Sequence, residues 1–342
     1  MATIKEIAYL AGVSRGTVDR VLNNRGAVNP QTAQKVKEIA KAINYIPNRA
    51  GRTLAVKKKQ LKFGFILFGS TSSNPFFLDM VCGIEDRSES LKEYGVTVSV
   101  RYAVIDNPDY QVQLIDELLL EGIDGLAITP INHPAVFRRL KKLTRSGFPV
   151  VTANSDIPDC GRIAYVGSNY YKSGTTAAGL MNLVCREGAK VGIVIGSPWV
   201  LCHSERVAGF TDHIKRYYPH IQVVDTVINN DDDLDSLSVT RKLLKAYPEI
   251  DSLYLAAAGV QGACRAVKDM NLLGKLNIIS YDTTAPTRQL VEEGAIIATI
   301  AQSPFTQGSK PLDILMDYVG MGIRPEKEFY YTRLEIKIKE NI

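Results

Sequence analysis

The sequence predicts an α/β protein built as two doubly wound lobes in tandem, preceded by a small all-α module. Three observations carry this. From about residue 61 onward, apolar strand-like runs alternate with amphipathic helical runs through two successive sets, the pattern of βαβ crossovers on a parallel sheet. Before residue 60 the pattern is of three short helices with a glycine turn between the first two. Charge divides at the same place: residues 1–60 hold 12 Lys+Arg against 3 Asp+Glu, a net +9, while the remainder is −4. A cationic module on a mildly acidic body points to nucleic acid as the module's partner.

In "TIKEIAYLAGVS", Thr3 and Glu6 stand at capping-box spacing, so Thr3 caps a helix whose inner face is Ile4, Ile7, Ala8 and Ala11. Gly12 supplies the left-handed residue that stops it, and Ser14 caps the next helix, "RGTVDRVLNN", with Val18, Val21 and Leu22 inward. Asn29 and Pro30 open a third helix that turns Val36, Ile39, Ala40 and Ile43 to the core. This is a helix-turn-helix, whose second helix enters the major groove. Its outer face carries Arg15, Gly16, Thr17, Asp19 and Arg20, with Asn23 and Arg25 near its end. Arginine reads guanine through two parallel hydrogen bonds, and threonine and asparagine suit phosphate or base edges. A solvated face of a small bundle is the bland alternative.

The run "TIKEIAYLAGVSRGTVDRVLNN" followed by "NPQTAQKVKEIAKAINYIPNRAGRTLA" resembles, through residues 3–55, the headpiece and hinge of the LacI family of bacterial transcription regulators. The resemblance assigns operator discrimination to Arg15 and Gly16 and matches Arg20 to the family's arginine. It sets Asp19 where a serine is usual. With the caps Thr3 and Ser14, these form the expected DNA-facing set. "NYIPNRAGRTLA" matches the family's hinge helix, which is too short to be stable alone and folds on DNA. The resemblance implies that Leu54 wedges into the minor groove, with Asn48, Arg49, Arg52 and Ala55 beside it. Gly51 replaces the usual alanine and weakens that helix by ~1 kcal/mol.

In the body, "LKFGFILFG", "VTVSVRYAV", "IDGLAITP" and "FPVVTANS" are the strands of the first set, and "KVGIVIGS", "IQVVDTVIN", "DSLYLAAAG", "LNIISYD" and "IATIAQS" fall in the second. The expected boundaries are a headpiece over 1–46, a hinge and linker over 47–60, a first lobe of 61–163 with 301–324, and a second lobe of 164–300 with 325–342. Open α/β sheets bind ligands at the carboxyl ends of their strands, here in the cleft between lobes.

Strand ends carry amides, carboxylates and aromatics suited to vicinal hydroxyls and a sugar's C–H face. Taken singly, Phe76 and Phe77 also read as core, Asp282 as a cap and Gln302 as an ordinary loop residue. The body resembles the type I periplasmic sugar-binding fold, in its ribose and galactose branch, through Asn74–Phe77, Glu205–Phe210, Ser280–Asp282 and Ala298–Gln302. That implies ligand contacts from Asn74, Phe76, Phe77, Arg206, Asp282 and Gln302. The aspartate–arginine pair of that branch is replaced by Asn154 and Ser155, with Asp156 one step on, so Asn154 and Asp156 join the set. "AAAGVQG" lacks the asparagine and aspartate common after its strand. Trp199, the sole tryptophan, is placed as a stacking surface or a packing residue.

Five scattered cysteines form no C-x-x-C pair, and the first residues carry charge where a leader needs an apolar run. A reducing cytoplasm is therefore expected, without membrane contact. None of the four histidines sits in a metal-ligand pair, Cys202–His203 are neighbours rather than a dyad, and "NNDDDLD" (229–235) reads as a solvated loop. No catalytic residue, metal or cofactor is expected. The expectation is a homodimeric, effector-responsive repressor on a two-half-site double-stranded operator, with a sugar or sugar derivative in the cleft. The alternative is a cytoplasmic sugar-binding or sugar-modifying protein without operator binding.

Overall fold

Helices α1 (Ile4–Ala11), α2 (Arg15–Leu22) and α3 (Pro30–Ala42) form the headpiece. The computed structural model describes residues 3–22, 26, 28–43, 57, 59–69, 74–185 and 188–342. Each expected cap is made. Thr3 accepts from the Glu6 amide at 3.2 Å, Gly12 sits at φ 70°, Ser14 accepts from the Thr17 amide at 3.1 Å, and Asn29 accepts from that of Gln31 at 2.9 Å. Ile7, Ala8, Ala11, Val18, Val21, Val36 and Ala40 are buried together as its core.

The body contains two six-stranded sheets. The first is ordered β11 (Phe329–Tyr331), β5 (Ala164–Gly167), β4 (Val150–Ala153), β3 (Gly125–Ile128), β1 (Lys62–Phe68), β2 (Thr97–Ala103), all parallel. The second runs β12 (Glu335–Lys337), β10 (Ala298–Ala301), β9 (Asn277–Tyr281), β8 (Ser252–Leu255), β6 (Lys190–Ile195), β7 (Gln222–Ile228), with only β12 antiparallel. The central strands β3, β4 and β8 are buried at every position, as a sheet covered on both faces requires.

Two segments sit in the lobe opposite to the one expected. Ala164–Gly167 pairs with β4 and closes the first sheet, so the crossover falls after it. The chain's last strand-like stretch is two strands: Phe329–Tyr331 extends the first sheet and Glu335–Lys337 the second. Edge strands of three residues carry too little pattern for sequence to assign their sheet.

Helices α4 (Phe76–Lys92), α5 (Pro108–Leu120), α6 (Pro134–Arg145) and α12 (Pro304–Leu315) cover the first sheet. Helices α7 (Tyr170–Val184), α8 (Leu201–Tyr217), α9 (Asp233–Ala246), α10 (Val260–Asp269) and α11 (Ala285–Glu292) cover the second. Two helix pairs cross at backbone contact. A Cβ on Gly209 of α8 would stand 2.0 Å from the Tyr171 carbonyl oxygen of α7, and one on Gly174 would stand 2.1 Å from that of Arg206. Gly83 and Gly308 do the same for α4 and α12. Only glycine permits this approach, and it fixes where α8 points its first turns.

Candidate functional site

Strand ends and helix starts converge on a small cavity between the lobes that opens to solvent. The first lobe supplies an aromatic corner. Phe77 meets Phe68 edge-on at 5.6 Å and Phe76 edge-on at 5.4 Å, both rings of α4 being 5% exposed. Phe68 ends β1, while Asn74 and Ile105 complete this side. Such a corner presents faces and edges to an apolar C–H surface.

The opposite wall is polar. Arg206 on α8 is 3% exposed, its guanidinium 3.7 Å from the Tyr281 ring centre and 5.1 Å from that of Tyr170. Nη1 donates to the Ala256 carbonyl at 2.8 Å, while Nε is buried without a partner. Burial works against its charge, but Cys202, Tyr281, Asp282 and Tyr170 together carry its pKa upward, so the cation persists. Asp282 follows β9 in a left-handed conformation, φ 69°, that aspartate tolerates. Burial raises its carboxyl to about 6, against the pull of Arg206 and of Gln302, which donates to it at 2.8 Å. Gln302 Oε1 is itself buried and unpartnered. A buried donor on Arg206 and a buried acceptor on Gln302, each lacking its partner, fit a ligand group that both gives and accepts hydrogen bonds. A hydroxyl does so.

Seven of the nine expected ligand residues line this cavity: Asn74, Phe76, Phe77, Asn154, Arg206, Asp282 and Gln302. Asn154 is partly committed, since its Nδ2 donates to Gln307 Oε1 at 3.0 Å and reaches the Tyr170 hydroxyl at 3.2 Å. Asp156 is absent from the wall. It takes both arms of Arg162 at 2.6 Å, and Thr152 Oγ1 also donates to it, which consumes the carboxylate in a bidentate pair. Trp199 is likewise absent. It is 43% exposed at the rim, its carbonyl accepting from the Asn132 amide at 2.8 Å and its ring 5.2 Å from His133, so it packs the lobes against each other. Ser197 Oγ donating to Asp106 at 3.1 Å makes a second bridge across the mouth.

Sequence reading missed His203 and Asp231. They face each other at 3.5 Å in the cavity wall, 5% and 7% exposed. Asp231 belongs to the stretch read as a solvated loop. It is instead buried, accepting from the Ala258 amide at 3.1 Å and the Ser197 amide at 3.2 Å, and so it joins the ends of β6, β7 and β8. Its neighbour Asn229 is buried too, donating to the Ala258 carbonyl at 2.7 Å. His203 was findable: residues 202, 203 and 206 share one helical face. Nothing in sequence distinguishes Asp231 from Asp232, the next residue, which caps α9.

On the headpiece, Thr3, Ser14, Arg15, Gly16 and Arg20 are exposed, while Thr17 and Asp19 are half-buried. Ser14 and Thr17 share a hydrogen bond at 3.0 Å, and Arg20 Nε donates to the Gly16 carbonyl at 3.3 Å. Asn23, Arg25, Asn48, Arg49, Arg52, Leu54 and Ala55 lie outside the described residues.

Residues 64–322 match the periplasmic binding protein domain, and residues 3–48 match the lacI family of bacterial regulatory proteins. The chain belongs to the periplasmic binding protein domain family and carries a lacI-type headpiece. It is thus a DNA-binding regulator whose body is a ligand-binding domain. Among similar proteins, the ribose operon repressor of Halalkalibacterium halodurans is 26% identical over 330 residues, 93% of this chain and 91% of that one. The D-allose-binding periplasmic protein of Escherichia coli is 27% identical over 259 residues, 72% of this chain and 81% of its own. A solute-binding protein of Burkholderia graminis solved with D-arabinose superposes with a TM-score of 0.76 at 26% identity, covering 82% of this chain and 96% of that one. Among the described residues, no helix is long and apolar enough to cross a membrane, and no group of His, Cys, Asp and Glu is arranged to hold a metal ion.

Proposed function

We propose that this chain is a cytoplasmic repressor that binds a pseudo-palindromic operator as a homodimer and changes its operator affinity when a neutral, polyhydroxylated effector enters the cleft. The carrying observation is the pairing, in one cavity, of the Phe68–Phe76–Phe77 corner with the Arg206–Asp282–Gln302 wall. The relatives named for ribose, allose and arabinose support a sugar or sugar derivative.

Arg15, Gly16, Thr17, Asp19 and Arg20, with Asn23 and Arg25, face the major groove in this reading, and Thr3 and Ser14 hold the helix ends against phosphate. One headpiece offers little surface, so a two-fold dimer on two half-sites supplies affinity and selectivity. Effector binding shifts the lobes and with them the spacing of two hinges around Asn48, Arg49, Arg52, Leu54 and Ala55. A coupling of ~1 to 3 kcal/mol between cleft and operator is enough for such control. The cleft binds its ligand without transforming it.

The test starts from a thermal-shift screen of the full chain against aldoses, polyols and their phosphates, in which a ligand at ~100 Kd adds ~2.7 kcal/mol of stability. Each hit is then titrated into an operator selected from random DNA. Salt-steep operator binding that the same sugar alters is the expected result. Turnover of the sugar, or operator affinity indifferent to every hit, overturns the reading.

A further inference from the structure

Gln307 lies on the first turn of α12, where the chain has just crossed from the second lobe to the first. It is 0% exposed and stands behind the cavity wall rather than in it. Both ends of its amide are bonded. Nε2 donates to the Gln302 carbonyl oxygen at 2.8 Å, and Oε1 accepts from Asn154 Nδ2 at 3.0 Å. One bond reaches the end of β10 in the second lobe and the other the end of β4 in the first, and each ends on a residue that lines the cavity.

The network decides which way each amide points. A backbone carbonyl only accepts, so Gln307 turns its nitrogen to Gln302 and its oxygen to Asn154. Asn154 must then answer with its own nitrogen. Tyr170 requires the same orientation, because its hydroxyl donates to the Asn154 carbonyl oxygen and is left to accept from Nδ2 at 3.2 Å. Both hydrogens of the Asn154 amide are thereby used, and its Oδ1 bonds to no described residue. The backbone there is left-handed, φ 60°, which asparagine tolerates.

We infer that Gln307 is a positioning residue that sets specificity from outside the cavity: it makes Asn154 an acceptor toward the effector and denies it the role of donor. Gln302 is committed in the same sense, since its Nε2 is spent on Asp282. An effector hydroxyl that meets Asn154 must therefore donate. A carbonyl, an ether oxygen or a fluorine in its place brings no hydrogen to the Asn154 oxygen and leaves it unpaired. This inference rests on the proposed sugar reading of the cleft.

Isothermal titration calorimetry on the full chain tests it. The tightest binder among D-ribose, D-allose, D-arabinose, D-glucose and D-galactose is compared with its monodeoxyfluoro analogues, each of which has one hydroxyl replaced by a fluorine that donates nothing. Wild type should lose about tenfold in affinity at the hydroxyl that meets Asn154. Asn154→Gly, which fits the left-handed backbone, identifies that hydroxyl as the one whose penalty it reduces to about twofold or less. Gln307→Met, unbranched and of similar length, leaves only Tyr170, whose hydroxyl can turn to either end of the Asn154 amide. It should abolish the penalty at the same hydroxyl and keep the penalties at the others within about twofold of wild type. Gln307→Glu, which burial keeps protonated, gives the Gln302 carbonyl a hydroxyl donor and Asn154 an acceptor, and should retain the penalty. Melting temperatures check that each variant folds; if Gln307→Met does not, Gln307→Glu decides alone. The positioning inference is overturned, with the sugar reading intact, if Asn154→Gly removes no penalty, if Gln307→Met keeps it or weakens the sugar and all its analogues equally, or if Gln307→Glu loses it. Absence of binding by all five sugars overturns both.

Discussion

Gln302 donates from Nε2 to Oδ1 of Asp282 at 2.8 Å, joining the end of β10 to the end of β9 inside the cleft. The glutamine lines the cavity, and its own Oε1 is buried and unpartnered. It also holds a carboxylate that burial has raised to about 6. Asp282→Ala should abolish the effector response in an operator-binding assay while leaving effector-free operator affinity unchanged. A normal response in that variant would place the effector elsewhere.

The same carboxylate sets a pH dependence for binding. Its folded pKa is raised, so in the effector-free protein it contributes stability that is complete below about 4 and is lost as pH rises through about 6. An effector whose hydroxyls donate to the ionised form reverses that preference. Affinity should therefore fall about tenfold per pH unit below about 6, and Asp282→Asn should flatten the profile. Calorimetric titrations between pH ~5 and ~8 measure it.

Arg206 reaches the cleft because α7 and α8 touch backbone to backbone. Gly209→Ala places a methyl carbon 2.0 Å from the Tyr171 carbonyl oxygen, which no side-chain movement relieves. The helices must separate, at a cost of about 3 kcal/mol by the overpacking range, and Arg206 shifts with them. Effector affinity should drop along with the melting temperature, whereas Ala208→Ser one position away should alter neither.

Much of this was legible in the chain, for identifiable reasons. The headpiece caps at Thr3, Ser14 and Asn29 depend on neighbours three residues apart or fewer, and all three form. Phe76, Arg206, Asp282 and Gln302 follow or open regular elements, and each lines the cavity. What failed depends on which partner the folded chain brings to a carboxylate, near in sequence or far. Asp156 was drawn out of the cleft by Arg162, and a sequence does not say which arginine will claim a carboxylate. Asp231 was hidden in a run of three aspartates, where only the tertiary structure selects the one that turns inward.

Leu54 lies outside the described residues, and its expected role rests on the hinge resemblance. A wedge that opens a specific site matters little on nonspecific DNA, where phosphate contacts supply the affinity. Leu54→Ala should lose operator affinity far more than affinity for a scrambled duplex, with an unchanged salt slope on the latter. Equal losses on both duplexes would refute the wedge.

His203 and Asp231 make the remaining prediction, in stability rather than binding. Burial pushes the imidazole toward its neutral form, but the Asp231 carboxylate at 3.5 Å more than reverses this and lifts the pKa to about 9, with Cys202 assisting and Arg206 opposing. The ring's other nitrogen lies 3.0 Å from the Ser197 carbonyl oxygen. A folded pKa above the unfolded one means that the pair stabilises fully below about 6.5 and that its contribution disappears as pH climbs through about 9. Melting temperatures of the wild type and His203→Gln should therefore differ most near pH ~6 and converge by pH ~9.5. Gly196 gives an independent check, since a Cβ there would stand 2.3 Å from Asp231 Oδ2 and 2.4 Å from the His203 ring. Gly196→Ala should displace the pair and reduce the pH-dependent part of the melting temperature in the same direction as His203→Gln. A wild-type melting curve that parallels His203→Gln across the whole range would mean that the imidazole is neutral in the folded protein and that Asp231 acts only through its two backbone amides.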